Sequence, residues 1–285
     1  MVRVTVLGSG DAFGSGGRLQ SAHLVEAPGT TFLLDCGATV LQGLKRFGRD
    51  PGAIDFVLLS HLHGDHFGGV PFLFMEYRFE QPRTRPFTVC GPPGTRRRVE
   101  ALFAALYEKG ARDPRPFPVR YVELRPGAAR TIAGVRVLPF AVPHVTGVLC
   151  FGYRVEVAGR TILYSGDSGW TDEFVTRARG TDLFLCECST WETRLDMHIA
   201  YPEIAARAKD LGCRRLVLTH LGREPLSHRR EITLECAEDG MMLELAGTRR
   251  ASRPASRAAP RSRAALRRRA ASPGRAPRMP RPRGR

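Results

Sequence analysis

The chain has 285 residues, 42% of them apolar, enough for one large domain or two small ones with a proper core. Its net charge of +16 is unevenly spread: fourteen arginines and no acid lie between Thr248 and Arg285, which leaves 30 basic and 28 acidic groups in residues 1–247. No apolar stretch approaches the length of a membrane span, so no membrane-spanning helix is expected.

The opening, MVRVTVLGSG, lacks the charged and long apolar regions of a signal peptide. Short apolar runs bounded by Gly, Pro or Asp then predict strands at 2–7, 30–35, 54–60, 87–90 and 135–140. Further strands are predicted at 151–157, 160–165, 182–187, 215–220 and 240–245. The glycine-rich loop at 8–17 follows a strand, but no helical pattern comes after it; RLQSAHLV reads as another strand. A tight turn lining a cleft is therefore expected there, not a dinucleotide site. Residues 95–110 place apolar side chains at helical spacing, and 201–212 has Pro in its first turn and Gly at its end, so both are predicted helices. Strict strand–helix alternation is absent, and the strands at 151–157 and 160–165 are joined by Ala158-Gly159. This predicts antiparallel or mixed sheets with helices outside. The seven cysteines are odd in number and show no CxxC spacing, which points to reduced, buried thiols and a cytoplasmic protein. The stretch 248–285 has one Leu, one Met and no aromatic residue, and is expected to be a disordered Arg/Ala/Pro-rich tail behind a domain at 1–247.

The densest chemical signal is LLSHLHGDHFGG, which sets His61, His63, Asp65 and His66 within six residues after an apolar run. His61 and His63 are two apart in extended chain and project to one side. Gly64 is expected to allow a tight turn that brings Asp65 and His66 to face them. Imidazole and carboxylate suit zinc, manganese or iron, and four such groups can serve two metal sites.

HxHxDH after an apolar strand resembles the signature of the metallo-β-lactamase superfamily. AVPHVTG, ILYSGDSG and LVLTHLG offer His144, Asp167 and His220 in the order such chains show, each after an apolar run. The resemblance implies a four-layer αβ/βα sandwich, two mixed β-sheets with outer helices. It also implies that His61, His63 and His144 bind one divalent ion, that Asp65, His66 and His220 bind a second, and that Asp167 bridges them. Zn2+ would be the default, with Mn2+ or Fe2+ as alternatives, and a shared hydroxide would be the nucleophile, oriented by Asp65. The diiron oxidoreductases of the superfamily show HxExD and a fused flavodoxin domain, which this chain lacks. Lactamases with a cysteine ligand are also set aside, because Asp65 holds that place.

Within the superfamily the chain resembles the ribonuclease Z and phosphodiesterase branch. VLGSGDAFGSGGRLQSAHLV is similar to that branch's glycine-rich opening, and TDLFLCECST to its His-Glu-Ala-Thr segment, with Cys186 and Glu187 in the place of His-Glu. MHIAYPEIAARAKDLGCRRLVLTH is similar to the stretch that runs from a catalytic histidine to the last ligand. By that correspondence His198 protonates the leaving oxygen and Glu187 orients it. Two departures weigh against transfer-RNA processing. Only 22 residues separate His144 and Asp167, too few for a substrate-binding arm, and LGREP follows His220 where those enzymes show FSxRY. A smaller phosphodiester, such as a cyclic nucleotide or a short oligonucleotide end, is the expected substrate; sulfate esters, acyl esters and lactones are alternatives. A nucleic-acid-binding protein that works through its basic tail is a further reading, and the resemblance allows a homodimer. His23 and His228 have no partner motif and are expected to be structural or surface residues.

Overall fold

The computed structural model describes residues 1–246; the tail assigned to 248–285 lies outside the described residues. The first sheet has the order β14-β1-β2-β3-β4-β5-β6. Its strands are β1 Val2–Gly8, β2 Ala22–Ala27, β3 Thr30–Leu34, β4 Phe56–Leu58, β5 Phe87–Gly91, β6 Val119–Glu123 and β14 Met242–Leu245. The second has the order β13-β12-β11-β10-β9-β8-β7. It is built from β7 Arg130–Ile132, β8 Val135–Val142, β9 Cys150–Val157, β10 Arg160–Tyr164, β11 Leu183–Glu187, β12 Leu216–Thr219 and β13 Glu235–Cys236. β3 to β6 run parallel, as do β10 to β13, and the other neighbours pair antiparallel. The helices are α1 Val40–Arg46, α2 Gly64–Phe67, α3 Val70–Met75, α4 Thr95–Leu106, α5 Glu108–Arg112, α6 Glu173–Ala178, α7 Tyr201–Arg207 and α8 Arg223–Ser227.

The central strands read as continuous apolar runs because both of their faces are buried. On β4, Phe56 and Leu58 point into the core between the sheets while Val57 points outward under helices; on β10, Ile162 and Tyr164 point in and Leu163 points out. Phe32, Phe56, Phe151, Tyr153, Tyr164 and Leu185 belong to the central core. Each such side chain contributes roughly 1.5–3 kcal/mol on burial. The outer face of the first sheet packs on Val40 and Leu44 of α1, Leu73 and Phe74 of α3 and Phe103 of α4. That of the second packs on Phe174 of α6 and Ile204 of α7. The result is the helix–sheet–sheet–helix sandwich that the resemblance implies. Tyr153 ties its halves together, donating its hydroxyl to the Leu59 carbonyl at 2.7 Å.

Several local expectations are corrected. The predicted helix at 95–110 breaks at Tyr107, which leaves helical geometry at φ −139° as its ring packs on Phe72 and Phe103. The predicted helix at 201–212 ends at Arg207; Asp210 then bonds back three residues to the Arg207 carbonyl, a turn too tight to continue the α-helix. Strands β6, β7 and β13 have no counterpart among the predicted runs. β6 and β7 are edge strands with half-exposed patterns, and β13 has two residues. Ala158-Gly159 forms the expected hairpin, both residues having positive φ (46° and 73°). All seven cysteines are free, and only Cys213 among them is not buried.

Candidate metal centre

The parallel strands deliver the site. Asp35 follows β3, His61 lies three residues after β4 ends, Asp167 three after β10, Glu187 closes β11, and His220 follows β12. His144 comes two residues after the antiparallel β8. Loops at the carboxyl ends of such strands have their polar groups free of the ladder, which is where sites in α/β sheets gather. Gly64, expected at a tight turn, instead opens the helical turn α2; its φ is not positive, and a Cβ there would meet nothing within 4 Å. The one-turn helix carries Asp65 and His66 inward, opposite His61 and His63.

Two donor groups result. The ligand atoms of His61, His63 and His144 lie within 4.8 Å of one another, and so do those of Asp65, His66, Asp167 and His220. Asp167 reaches both: its Oδ1 is 3.2 Å from His66 Nε2, and its Oδ2 is 3.4 Å from His220 Nε2, 3.9 Å from His61 Nε2 and 4.0 Å from His144 Nε2. Asp65 Oδ2 sits 3.2 Å from His66 Nε2 and 3.3 Å from His220 Nε2. His63 turns its Nδ1 inward, 3.2 Å from His144 Nε2.

These atoms fit a cation. His61 Nε2, His66 Nε2 and Asp167 Oδ1 are buried without a hydrogen-bond partner although ionisable neighbours stand close by. They converge on one small region, with His66 Nε2 3.2 Å from Asp167 Oδ1 but without hydrogen-bond geometry, and orphaned buried polar atoms of this kind are costly unless a ligand satisfies them. The opposite ring nitrogens are anchored. His61 Nδ1 pairs with the Ser60 hydroxyl (3.0 Å), His66 Nδ1 with Asp35 (2.7 Å), His144 Nδ1 with the Met197 carbonyl (2.9 Å) and His220 Nδ1 with the Ser189 hydroxyl (2.9 Å). Such partners hold a histidine's tautomer and orientation for a metal. Burial, with the neighbouring His66, lowers the pKa of His61 well below the usual imidazole range. For His63, burial and His144 act in the same direction. Both shifts favour the neutral ring that ligation requires. For Asp167, burial opposes ionisation, but His220 and His66 outweigh it and hold the carboxyl well below its ordinary pKa. Burial opposes the charged form of His220 too, yet Asp167 and Asp65 push its pKa up to about 9.

The sequence reading missed Asp35, although it follows an apolar run just as the proposed ligands do. It is fully buried at φ 58°. Its carboxylate accepts from the Ser60 amide (2.6 Å) and hydroxyl (2.7 Å), the Tyr164 hydroxyl (2.6 Å) and His66 Nδ1. Asp35→Ala strands all four donors in the core. The unfolding free energy should fall by about 3–5 kcal/mol in denaturant titration; a loss under about 1 kcal/mol would show that Asp35 is not the buttress of this corner.

His198 stands beside both groups, its ring centroid 5.0 Å from that of His144 and 5.9 Å from that of His220. Its Nδ1 is 2.8 Å from Glu187 Oε1. Glu187 is itself fixed, accepting the Ser168 amide at 2.8 Å, the Ser189 hydroxyl at 2.8 Å and the Ser189 amide at 3.1 Å. Burial lowers the His198 pKa, but the Glu187 hydrogen bond and charge more than offset it, and the net direction is up. The strap 190–198 that carries His198 crosses Gly169 so closely that a Cβ there would lie 2.0 Å from the Asp196 carbonyl oxygen.

The cluster opens into a cavity of about 600 Å³, whose lining includes His63, Asp65, His144, Asp167, His198 and His220. The glycine-rich loop supplies part of its wall through Asp11, Phe13 and Ser15. A larger depression of about 880 Å³ between α4 and β6 holds a Glu100–Arg115–Tyr121 network and none of the clustered histidines. His23 is a core residue against Tyr164, with neither ring nitrogen hydrogen-bonded and its pKa lowered by burial to about 4. His228 stacks on Trp191 and pairs with Glu231. No helix among the described residues is long and apolar enough to cross a membrane.

The family model for the beta-lactamase superfamily domain matches residues 30–221. An uncharacterized protein of Mycobacterium leprae is 34% identical over 244 residues, covering 82% of each chain. A ribonuclease Z of Mycobacterium bovis is 30% identical over 243 residues, 77% of this chain and 86% of that one. The crystal structure of the short form of human tRNase Z superposes with a TM-score of 0.67 at 25% identity, covering 86% of this chain and 99% of that one. With the sandwich and the histidine–aspartate cluster, these likenesses make the chain a member of the β-lactamase superfamily, a metal-dependent hydrolase of its ribonuclease Z-like branch.

Proposed function

We propose that this protein hydrolyses phosphodiesters with two divalent ions, zinc by default, held by the two donor groups. His61, His63 and His144 would hold one ion, Asp65, His66 and His220 the other, and Asp167 would contact both. The observation that carries the reading is the place of Asp167, whose Oδ2 lies within 4.0 Å of histidine nitrogens from both groups while its Oδ1 lies 3.2 Å from His66 Nε2. When bound, such a pair of ions supplies Lewis-acid activation of water and neutralises charge on the phosphoryl oxygens.

The protein's own residues supply the rest. Glu187 holds His198 Nδ1, so the Nε2 of His198 is the atom left to hand a proton to the departing oxygen. The Glu187 hydrogen bond and charge favour the protonated form of His198 over the burial that opposes it. The short hairpin of β9 and β10, where an arm would emerge, supports a small or short-chain substrate over a folded RNA. The division into a hydrolase domain at 1–247 and a tail at 248–285 belongs to the same proposal, with catalysis assigned to the domain.

The test is metal stripping and reconstitution. Chelator-treated protein should lose hydrolysis of bis-p-nitrophenyl phosphate. Added Zn2+, Mn2+ or Fe2+ should restore it, with two ions per chain by elemental analysis. Fully loaded protein that cleaves no phosphodiester defeats the reading, and so does full activity at one ion per chain.

A further inference from the structure

Phe13, on the glycine-rich loop, is 91% exposed. Asp11 pins that loop: its Oδ1 accepts the amides of Phe13 (3.2 Å) and Ser15 (2.9 Å), and its Oδ2 accepts the Ser15 hydroxyl (2.7 Å). A solvated phenyl ring held at a cavity offers apolar area that a ligand seated there covers favourably.

Phe13 lines the same cavity as the clustered histidines, together with Leu195 and Met197, each 44% exposed. The strap bearing these two is also held firmly. Glu224 accepts the amides of Trp191, Glu192 and Thr193 at 2.8, 3.1 and 3.1 Å, and Trp191 is stacked between Tyr201 and His228 with centroids at 4.8 and 4.5 Å. The apolar part of the cavity is therefore preformed, not a loose flap. Arg223 is the one Lys or Arg in the lining; it is exposed and carries no ion pair among the described residues. A flat aromatic face, two flexible apolar side chains and a free cation beside a phosphate-processing centre fit an anionic ligand with an aromatic ring. The cavity volume suits a ligand of nucleotide size.

Resting on the phosphodiesterase reading, we infer that Phe13, with Leu195 and Met197, is the base-binding face for a nucleoside esterified to the scissile phosphate. Phe13 is then a specificity-determining residue: it stacks the base and sets KM, and takes no part in bond breaking. Stacking of a base on an aromatic side chain changes affinity on the order of tenfold.

Three esters with one leaving group test this: thymidine 5′-(p-nitrophenyl) phosphate, hexyl p-nitrophenyl phosphate and methyl p-nitrophenyl phosphate. Phe13→Ala should lower kcat/KM on the thymidine ester about tenfold, through KM, leave the methyl ester within about twofold, and affect the hexyl ester less than the thymidine ester. Phe13→Trp should restore the thymidine ester. In isothermal titration, thymidine 5′-monophosphate should bind Phe13→Ala about tenfold more weakly while inorganic phosphate binds as before. Because Phe13 is exposed, the alanine variant keeps the fold. An equal loss on all three esters, an equal loss on the hexyl and thymidine esters, or no loss at all overturns the base-stacking role alone. Metal-loaded wild-type protein that cleaves none of the three overturns the phosphodiesterase reading itself.

Discussion

Asp167→Asn should lower phosphodiester turnover about a thousandfold and reduce bound metal, while the protein stays folded. The substitution keeps the side chain's shape and removes its charge. Asp167 Oδ1 has no hydrogen-bond partner in the protein, so the fold does not depend on that atom. The cost falls on the site. Asp167 is the leading influence raising the pKa of both His66 and His220 against their burial, and it lies near histidines of both donor groups. Replacing it with a neutral amide weakens the negative field that attracts and positions cations. A loss of about 4 kcal/mol of transition-state stabilisation corresponds to the stated thousandfold. Steady-state kinetics, elemental analysis and near-ultraviolet circular dichroism on one preparation decide it. Turnover within tenfold of wild type at full metal content would remove Asp167 from the machinery.

His198→Ala has an effect of comparable size, and it depends on the substrate. A general acid matters when the departing oxygen is basic, as a ribose or other alkyl oxygen is, and contributes typically 10²–10⁴-fold there. A p-nitrophenolate leaves without help. His198→Ala should therefore slow cleavage of a dinucleotide about 10²–10⁴-fold and of bis-p-nitrophenyl phosphate less than about tenfold, with metal content unchanged. Glu187→Gln should fall between wild type and His198→Ala, because it keeps the contact and loses the charge that favours the protonated ring. His198 also lies within ligand distance of two mixed groups, one with His144 and Asp167 and one with Glu187 and His220. The metal measurement is thus the discriminating one. If His198→Ala strips an ion, or slows both esters equally, His198 is a ligand or a scaffold and not the acid.

What the sequence determined by itself was mixed sheets with outer helices and the residues that cluster, and its resemblance to a known family added the sandwich. Apolar runs of strand length, each ended by a polar side chain, mark the carboxyl ends of β4, β8, β10 and β12, and His61, His144, Asp167 and His220 stand just past them. That signal is local, because a buried strand must be apolar and its end is where ladder hydrogen bonds stop. Asp35 carried the same signal and went unread because no motif drew attention to it. Tertiary structure alone decided what depends on contacts across the chain. The kink at Tyr107 goes with its packing on Phe72, 35 residues away. The grip of Glu224 on the strap spans 31 to 33 residues, and the meeting of Asp35 with Tyr164 spans 129. The exposure of Phe13 is of the same kind: an apolar residue in a glycine-rich loop is solvated or buried according to what packs over it, and periodicity carries no information about that.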